Sequence, residues 1–457
     1  MVHVSVAGCL VRDRAALRRP VVGPAAWCAA AWCAAVLLCA ALAAPPAAAQ
    51  AVWVVAPEVS PGVDFTEPQS AVNAARDGDI VLVRTGAYFP LRIVGKSVTV
   101  AADAGALVVL AMTWDFAPIE VRDLPQGGTV VLHGLTLHPD NDVFGITRRP
   151  SLIVQNCRGT VWVEDCDLQN GFPALSVSNA VAPAGTVTLQ TCTLTGCFGI
   201  FDGLGSLTSG EALIQSAGHT SFSGCTLQGG NGHAGFFDLP SILAKPGAAG
   251  AVLAAGTCLF SNCTVAGGKG GNGFIQPFPT PTCSPPAVGG DGVRVSAGAT
   301  LRAIQSLMQG GAGGNPAPDC SNTVPDGQAI ANDGGSVELL SGAPPTLTAL
   351  APVREGGTLA LTLAGTPGDL ALLAISGRAT AQFLPGLSGE LLVMFPASLL
   401  ALGALPAGGA LALSGVLPAL PASVEGATLF VQAASAPAPG GWVLGGGATL
   451  VLLDGSL

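Results

Sequence analysis

The sequence predicts an all-β chain: a parallel β-solenoid over residues 50–341, then a small β-sandwich over residues 342–457. Three observations lead there. One is composition: 63 Gly and 35 Pro stand beside 49% hydrophobic residues, and charged residues are only 10%, against roughly 25% in ordinary globular domains. Many turns and short apolar strands with little exposed helix satisfy that mixture. A disordered chain does not, because it is poor in apolar residues. The second is internal repetition. The phrase "TVVLHGLTL" at 129 returns as "TVWVEDCDL" (160), "TVTLQTCTL" (186), "TSFSGCTL" (220) and "CLFSNCTV" (258), and in worn form as "TLRAIQSLM" (300). Shorter apolar strands, from "PIEV" and "SLIV" to "GVRV" and "GQAI", alternate with these copies, and the period drifts from about 25 to about 40 residues. The third is the alignment of the copies. It stacks Leu135, Cys166, Cys192, Cys225, Cys263 and Ser306, and two residues on Leu137, Leu168, Leu194, Leu227, Val265 and Met308. Residues two apart on a strand share a face, so both columns point inward. The column between them (Thr136, Asp167, Thr193, Thr226, Thr264, Leu307) points outward. Like stacked on like at about 4.8 Å is what a parallel solenoid requires. Cysteine packs there as a small apolar residue. A thiol ladder spreads sulfur along an axis, not around one metal ion.

Before the solenoid, residues 1–49 read as an export signal. Arg12, Arg14, Arg18 and Arg19 give a positive start, Ala25–Ala44 an apolar stretch, and the alanines up to Ala49 an A-x-A cleavage site. The competing reading is an uncleaved anchor, since about 20 apolar residues span a bilayer. With the leader removed, 14 basic and 27 acidic residues leave a net charge of −13, with three Lys in all. No nucleic-acid partner is expected, because phosphate binding needs clustered Lys and Arg. Nor is a membrane span after cleavage; the expected location is secreted, cell-surface or periplasmic.

Next comes a cap. Ala71, Val72, Ala74 and Ala75 give a short helix an apolar face after Glu67 and Pro68. Asp77-Gly78-Asp79 ends it, "IVLV" follows, and "TGAY" turns the chain into "FPLRIV". A solenoid needs such a cover over its first coil. This stretch, with "KSVTVAADAG" after it, resembles the amino-terminal cap and first coil of right-handed parallel β-helix proteins of the exported, pectate-lyase-like kind. The resemblance spans about Phe65 to Leu340 and implies a right-handed coil. It implies no single activity, because that architecture hosts lyases, hydrolases, epimerases and adhesins.

The glycine loops "GGNGHAGFFD" (229), "GGKGGNGFI" (267), "GGDGV" (289) and "GGAGGN" (310) are read as tight turns at positive φ, leaving the coils along one side as a rim. Phe236, Phe237, Asp238, Phe274 and Phe278 are what that rim offers. The loops are similar to the Ca²⁺-binding nonapeptide of parallel β-rolls, but Asn272 and Asn315 stand where its Asp belongs. No cofactor is expected, with Ca²⁺ the one considered. Cys283 and Cys320, in Pro-rich loops, are the candidate disulfide. Past Ser341, segments such as "TLALTLAG", "ELLVMF" and "TLVLLDG" recur at roughly 10-residue spacing, as sandwich strands do. The tail resembles sandwich modules appended to exported bacterial proteins. It is read as a surface-attachment module or a cap on the last coil, with Glu355, Arg378 and Glu390 in solvent.

Two functions fit this layout. In the first, an exported β-helix protein binds glycan or a cell-surface partner through one face and its Gly-rich loops. In the second, it is a polysaccharide lyase or glycoside hydrolase. A lyase needs acidic and basic groups together, and a hydrolase two carboxylates about 5–10 Å apart. Stacking the coils places His133 over Glu164 on a solvent-facing column, with Asp165 and Asp167 beside them. Asp140, Asp142, Arg148 and Arg149 form the best mixed-charge loop. The first function is the better supported, for want of a compelling catalytic set. The oligomeric state is left open.

Overall fold

The computed structural model describes residues 50–112, 116–139, 149–201, 207–235, 243–276, 281–437 and 440–457. The leader, the loop residues Asp140, Asp142 and Arg148, and the rim residues Phe236, Phe237, Asp238 and Phe278 lie outside the described residues.

The chain is a right-handed parallel β-helix followed by an antiparallel sandwich. Each coil gives one strand to each of three parallel sheets. Sheet 1 has ten strands, from Val52–Val55 and Ile80–Val83 to Ser336–Leu340. Sheet 2 has eight, from Gly86–Tyr88 to Leu307–Gln309, and sheet 3 eight, from Leu91–Val94 to Ile330–Asp333. The coils lie in register, so the predicted columns form: Asp167 pairs with Thr136 and Thr193, and Thr226 with Thr193 and Thr264. Cys166, Cys192, Cys225 and Cys263 are all buried in the interior.

The repeated phrase is two strands, not one. Between them sits a single residue at positive φ: Gly134 (70°), Asp165 (51°), Thr191 (51°), Gly224 (63°), Asn262 (53°) and Gln305 (48°). That left-handed residue bends the chain from sheet 1 onto sheet 2, a conformation Gly, Asn and Asp accept most readily. The interior column begins at the next residue. Cys166, Cys192 and Cys263 donate their thiol protons to the carbonyls of Glu164, Gln190 and Ser261, each at 3.2 Å. Sulfur in turn accepts an N–H from the preceding coil, Leu135 to Cys166 and Cys192 to Cys225 at 3.4 Å. Ser306 does the same in the last copy, donating to Ile304 O at 3.0 Å and accepting from Cys263 N at 3.1 Å. From Cys166 to Ser306 the column therefore holds small side chains that can donate and accept at a corner, whereas Leu135, in the first copy, contributes only its backbone N–H. Burial pushes the Cys157, Cys192 and Cys263 thiols above their usual range and Cys197 up to about 12, away from the reactive thiolate. An alkylating reagent is expected to leave all seven buried thiols of the folded chain unmodified and to modify all seven in denaturant. Peptide mass spectrometry checks this.

Helix α1 (Pro68–Ala74) covers the first coil with Ala71, Val72 and Ala75, while Ala74 turns to solvent. Lys96 Nζ caps it, donating to Val72 O at 2.7 Å and Ala75 O at 2.6 Å, where the helix leaves carbonyls unpaired. Gln69 seals the edge of sheet 3: its Oε1 accepts Arg92 N–H at 2.6 Å and its Nε2 donates to Arg92 O at 3.1 Å. One side-chain amide thus stands in for a missing strand. Val52–Val55, before the helix, pairs with Ile80–Val83 and starts sheet 1 a coil earlier than the sequence suggested.

The glycine loops differ from expectation. No glycine between 229 and 235, 267 and 273, 289 and 292, or 310 and 314 has positive φ. These segments leave sheet 2, and partner segments return to sheet 3, as extended fingers. Gly229, Gly232 and Gly235 donate to Ala266, Lys269 and Asn272; Gly267, Gly270 and Gly273 donate to Gln309, Ala312 and Asn315. The step of three is that of a polyproline II helix, which has no internal hydrogen bonds and must find them in neighbours. A second chain of bonds ties outgoing to returning segments: Ala248 N–H to Gly230 O, Gly268 to Ala248, Gly290 to Gly268, Gly311 to Gly290 and Gly327 to Gly311, all 2.7–2.9 Å. The glycines are there because neighbouring backbone fills the space a Cβ would need.

The sandwich has a three-stranded sheet (Thr346–Ala349, Thr358–Ala364, Ala410–Val416) and a five-stranded sheet containing Leu370–Ser376, Gly426–Ala436 and Val443–Leu453. They share a core that includes Leu347, Leu363, Leu373, Val431 and Leu450. The outer face of the five-stranded sheet lies on sheet 1. Val443 packs on Leu259 and Ile304, and Val451 and Leu453 pack on Ile80, Leu82 and Ala101. The strand therefore crosses the coils along the solenoid axis. Ten residue steps at about 3.4 Å and seven coil spacings at about 4.8 Å both give about 34 Å. The tail is a flank cover, not the cap on the last coil that one of its two readings offered.

Candidate functional site

The expected catalytic face is the seat of that cover. Glu164 does pair with His133 across coils, but both are 5% exposed, and Trp162, two residues before Glu164 on the same strand, is fully buried against the sandwich. Glu164 Oε2 accepts Trp162 Nε1–H at 3.0 Å, Thr449 N–H at 2.7 Å and Thr449 Oγ1–H at 2.6 Å. His133 Nε2 lies 3.2 Å from Ala351 O. Gln190 Oε1 accepts Gly447 N–H at 3.0 Å. Glu390, expected in solvent, is buried with its Oε1 2.9 Å from His219 Nε2. Burial raises the Glu164 pKa, opposed by His133 and by the hydrogen bonds from Thr449 and Trp162. Glu164 and His133 belong to the joint between solenoid and sandwich. Asp165 forms the corner, and Asp167 stands on sheet 2, hydrogen-bonded by the Gln169 amide. The four therefore do not form one surface.

At the fingers, Phe274 is half-buried and packs beside Gly235. Asn231 Oδ1 accepts Lys269 N–H at 2.8 Å and Asn272 Oδ1 accepts Asn315 N–H at 2.9 Å, so these asparagines tie neighbouring fingers together. Among the described residues no three His, Cys, Asp or Glu side chains gather as a metal site would require. Cys283 and Cys320 are bonded, with Cα atoms 5.9 Å apart.

A site missed in the sequence lies where α1 meets sheet 3. It is a groove of about 640 Å³ lined by Gln69, Asn73, Phe89, Arg92, Phe116 and Glu120 among others. Strand alternation points Arg92 and Arg122 outward while Leu91, Ile93, Ile119 and Val121 fill the interior. Register sets Arg92 beside Glu120 on the next coil. Glu120 is nearly buried and holds two guanidinium groups: Arg92 Nε lies 2.7 Å from Oε2, and Arg122 Nη2 meets Oε1. A guanidinium has five N–H donors, and the Arg92 side chain, half exposed in the groove, offers some of them to a ligand while Arg122 holds Glu120 from behind. Phe89 is 65% and Phe116 51% exposed, and the Arg92 guanidinium sits 5.6 Å from the Phe116 ring centre, within cation–π range. Gln69 and Asn73 side chains are hydrogen-bonded at 2.9 Å on the helix side. Two aromatic faces thus border a fixed set of amide, guanidinium and carboxylate groups. The available signal was the in-register pairing of "LRIV" with "IEVR", which places opposite charges together.

Comparison with protein-family models, with curated proteins and with solved structures gives no match.

Proposed function

We propose that this is an exported β-helix protein of the pectate-lyase-like kind that binds carbohydrate in the groove between α1 and sheet 3. One observation carries the reading: Phe89 and Phe116, both more than half exposed, flank the locked Arg92–Glu120–Arg122 set. A sugar ring offers apolar C–H faces and a rim of hydroxyls. Aromatic rings serve the first, and forked guanidinium and amide groups the second. Export is supported by the leader and by the Cys283–Cys320 bridge, which belongs to oxidising compartments.

The test is calorimetric titration with a panel of neutral and acidic oligosaccharides. Phe89→Ala and Phe116→Ala are each expected to weaken binding about tenfold, or about 1.4 kcal/mol, without lowering Tm. No binding across the panel, or variants that bind like the parent, would remove this reading. New reducing ends or unsaturated products from the bound glycan would replace it with the hydrolase or lyase.

A further inference from the structure

We propose that the C-terminal end of the solenoid is the contact face of a tail-to-tail dimer of this chain. The interior columns end there in water. Val163, Leu189, Phe222, Phe260 and Ala303 form one column and are at most 5% exposed; Leu339, next in register, is 74% exposed. Val337, Met308 and Ile330 are half-buried, whereas Leu301, Val265 and Val293 one coil below are fully buried. The core is thus cut open across all three sheets. The sandwich does not close it, since it lies along the flank. Nor are the edges guarded: Leu307–Gln309, Ile330–Asp333 and Ser336–Leu340 contain no Lys, Arg or Pro, the residues that usually protect an open strand. Glu338 is already neutralised by Arg302 at 2.8 Å.

The occupant follows from geometry. Three strand edges surround an apolar core, which is half of the coil-on-coil interface that the solenoid repeats internally. Pairing all three edges at once requires another solenoid end. This chain's first coil is closed by α1, with Gln69 on its sheet edge and Glu67 Oε2 accepting Phe89 N–H at 3.3 Å. The mate is therefore the same end of a second copy. A two-fold axis across the solenoid pairs the edges antiparallel, and a self-complementary contact of that kind stops at two.

Sedimentation velocity of the purified protein from about 1 to about 100 μM, the range of micromolar association, is expected to show a dimer. Leu339→Lys and Leu307→Lys replace side chains already more than half exposed, so the far-UV spectrum of each variant should match the parent's, and so should its Tm at concentrations low enough for both to be monomeric. Each should weaken the dimer at least about tenfold. Hydrogen exchange at Ser336–Leu340 should be slow in the parent and fast in Leu339→Lys at the same concentration. A parent that stays monomeric, larger oligomers that grow with concentration, or a Leu339→Lys dimer as tight as the parent's would each overturn the proposal.

Discussion

Alanine in place of Gly268 is expected to break the finger array and to cost about 3 kcal/mol or more, beyond ordinary overpacking. Gly268 stands at the centre of the array: its N–H donates to Ala248 O and its carbonyl accepts Gly290 N–H, both at 2.8 Å. A Cβ there would overlap the carbonyl oxygen of Gly230 and reach 2.8 Å from that of Gly229. Neither obstacle is a side-chain tip that can swing away; both are backbone atoms fixed by their own bonds. The cost is therefore steric, not conformational, since Gly268 is not at positive φ. It is the situation of glycine at the crowded axis of a collagen triple helix. Lys269→Ala, one residue on and exposed, is the control and should change stability by no more than about 0.5 kcal/mol. Thermal unfolding, with amide exchange at Gly290 and Gly311, separates the two. A Gly268→Ala protein as stable as Lys269→Ala would mean that the fingers are not packed backbone to backbone.

The contrast between coils and fingers shows what a sequence makes legible. The coils could be read because strand alternation repeats with a fixed neighbour one coil away, so Cys166, Cys192, Cys225 and Cys263 declare a column. The corner residues Gly134, Asp165, Thr191, Gly224, Asn262 and Gln305 share only a backbone angle, which is why two strands were read as one and Asp165 as a surface carboxylate. The fingers were misread because Gly permits both positive φ and close approach. Only the three-residue spacing of Gly267, Gly270 and Gly273 distinguishes the second, and it needs neighbours to have meaning. Glu164 and His133 were placed in the right register but on the wrong surface. Nothing in the repeat records that a strand 285 residues away, at Thr449, will cover them. The groove combines both problems: Arg92 and Glu120 follow from register, but Phe89 and Phe116 lie just outside their strands, where alternation gives no direction.

That covered face carries the other large effect. Trp162→Ala should destabilise the joint between solenoid and sandwich by about 3–5 kcal/mol, the usual cost of emptying a large buried site. The ring is fully buried, 5.2 Å from the Phe430 ring in an edge arrangement. A Cβ on Gly447 would stand 2.6 Å from its Cη2. The run Gly445-Gly446-Gly447 is thus the channel through which Val443–Leu453 passes over Trp162, Gln190 and Ser223. The variant should lower Tm and let a protease cut between 341 and 353 before the solenoid opens. Glu164 gives the same joint a pH dependence of defined sign. Its folded-state pKa is raised above 4.5, chiefly by burial, so its stabilising contribution is complete below pH 4.5 and is lost as pH rises through the folded value. The slope is at most about 1.4 kcal/mol per pH unit for one proton. Glu164→Gln keeps an oxygen for Trp162 and Thr449 but has no charge to desolvate, so its Tm should fall less steeply than the parent's from pH 4.5 upward. His133, His219 and Glu390 also face the joint and are present in both proteins. Equal slopes in parent and variant would mean that Glu164 binds its proton equally in the folded and the unfolded chain, and would overturn the upward shift.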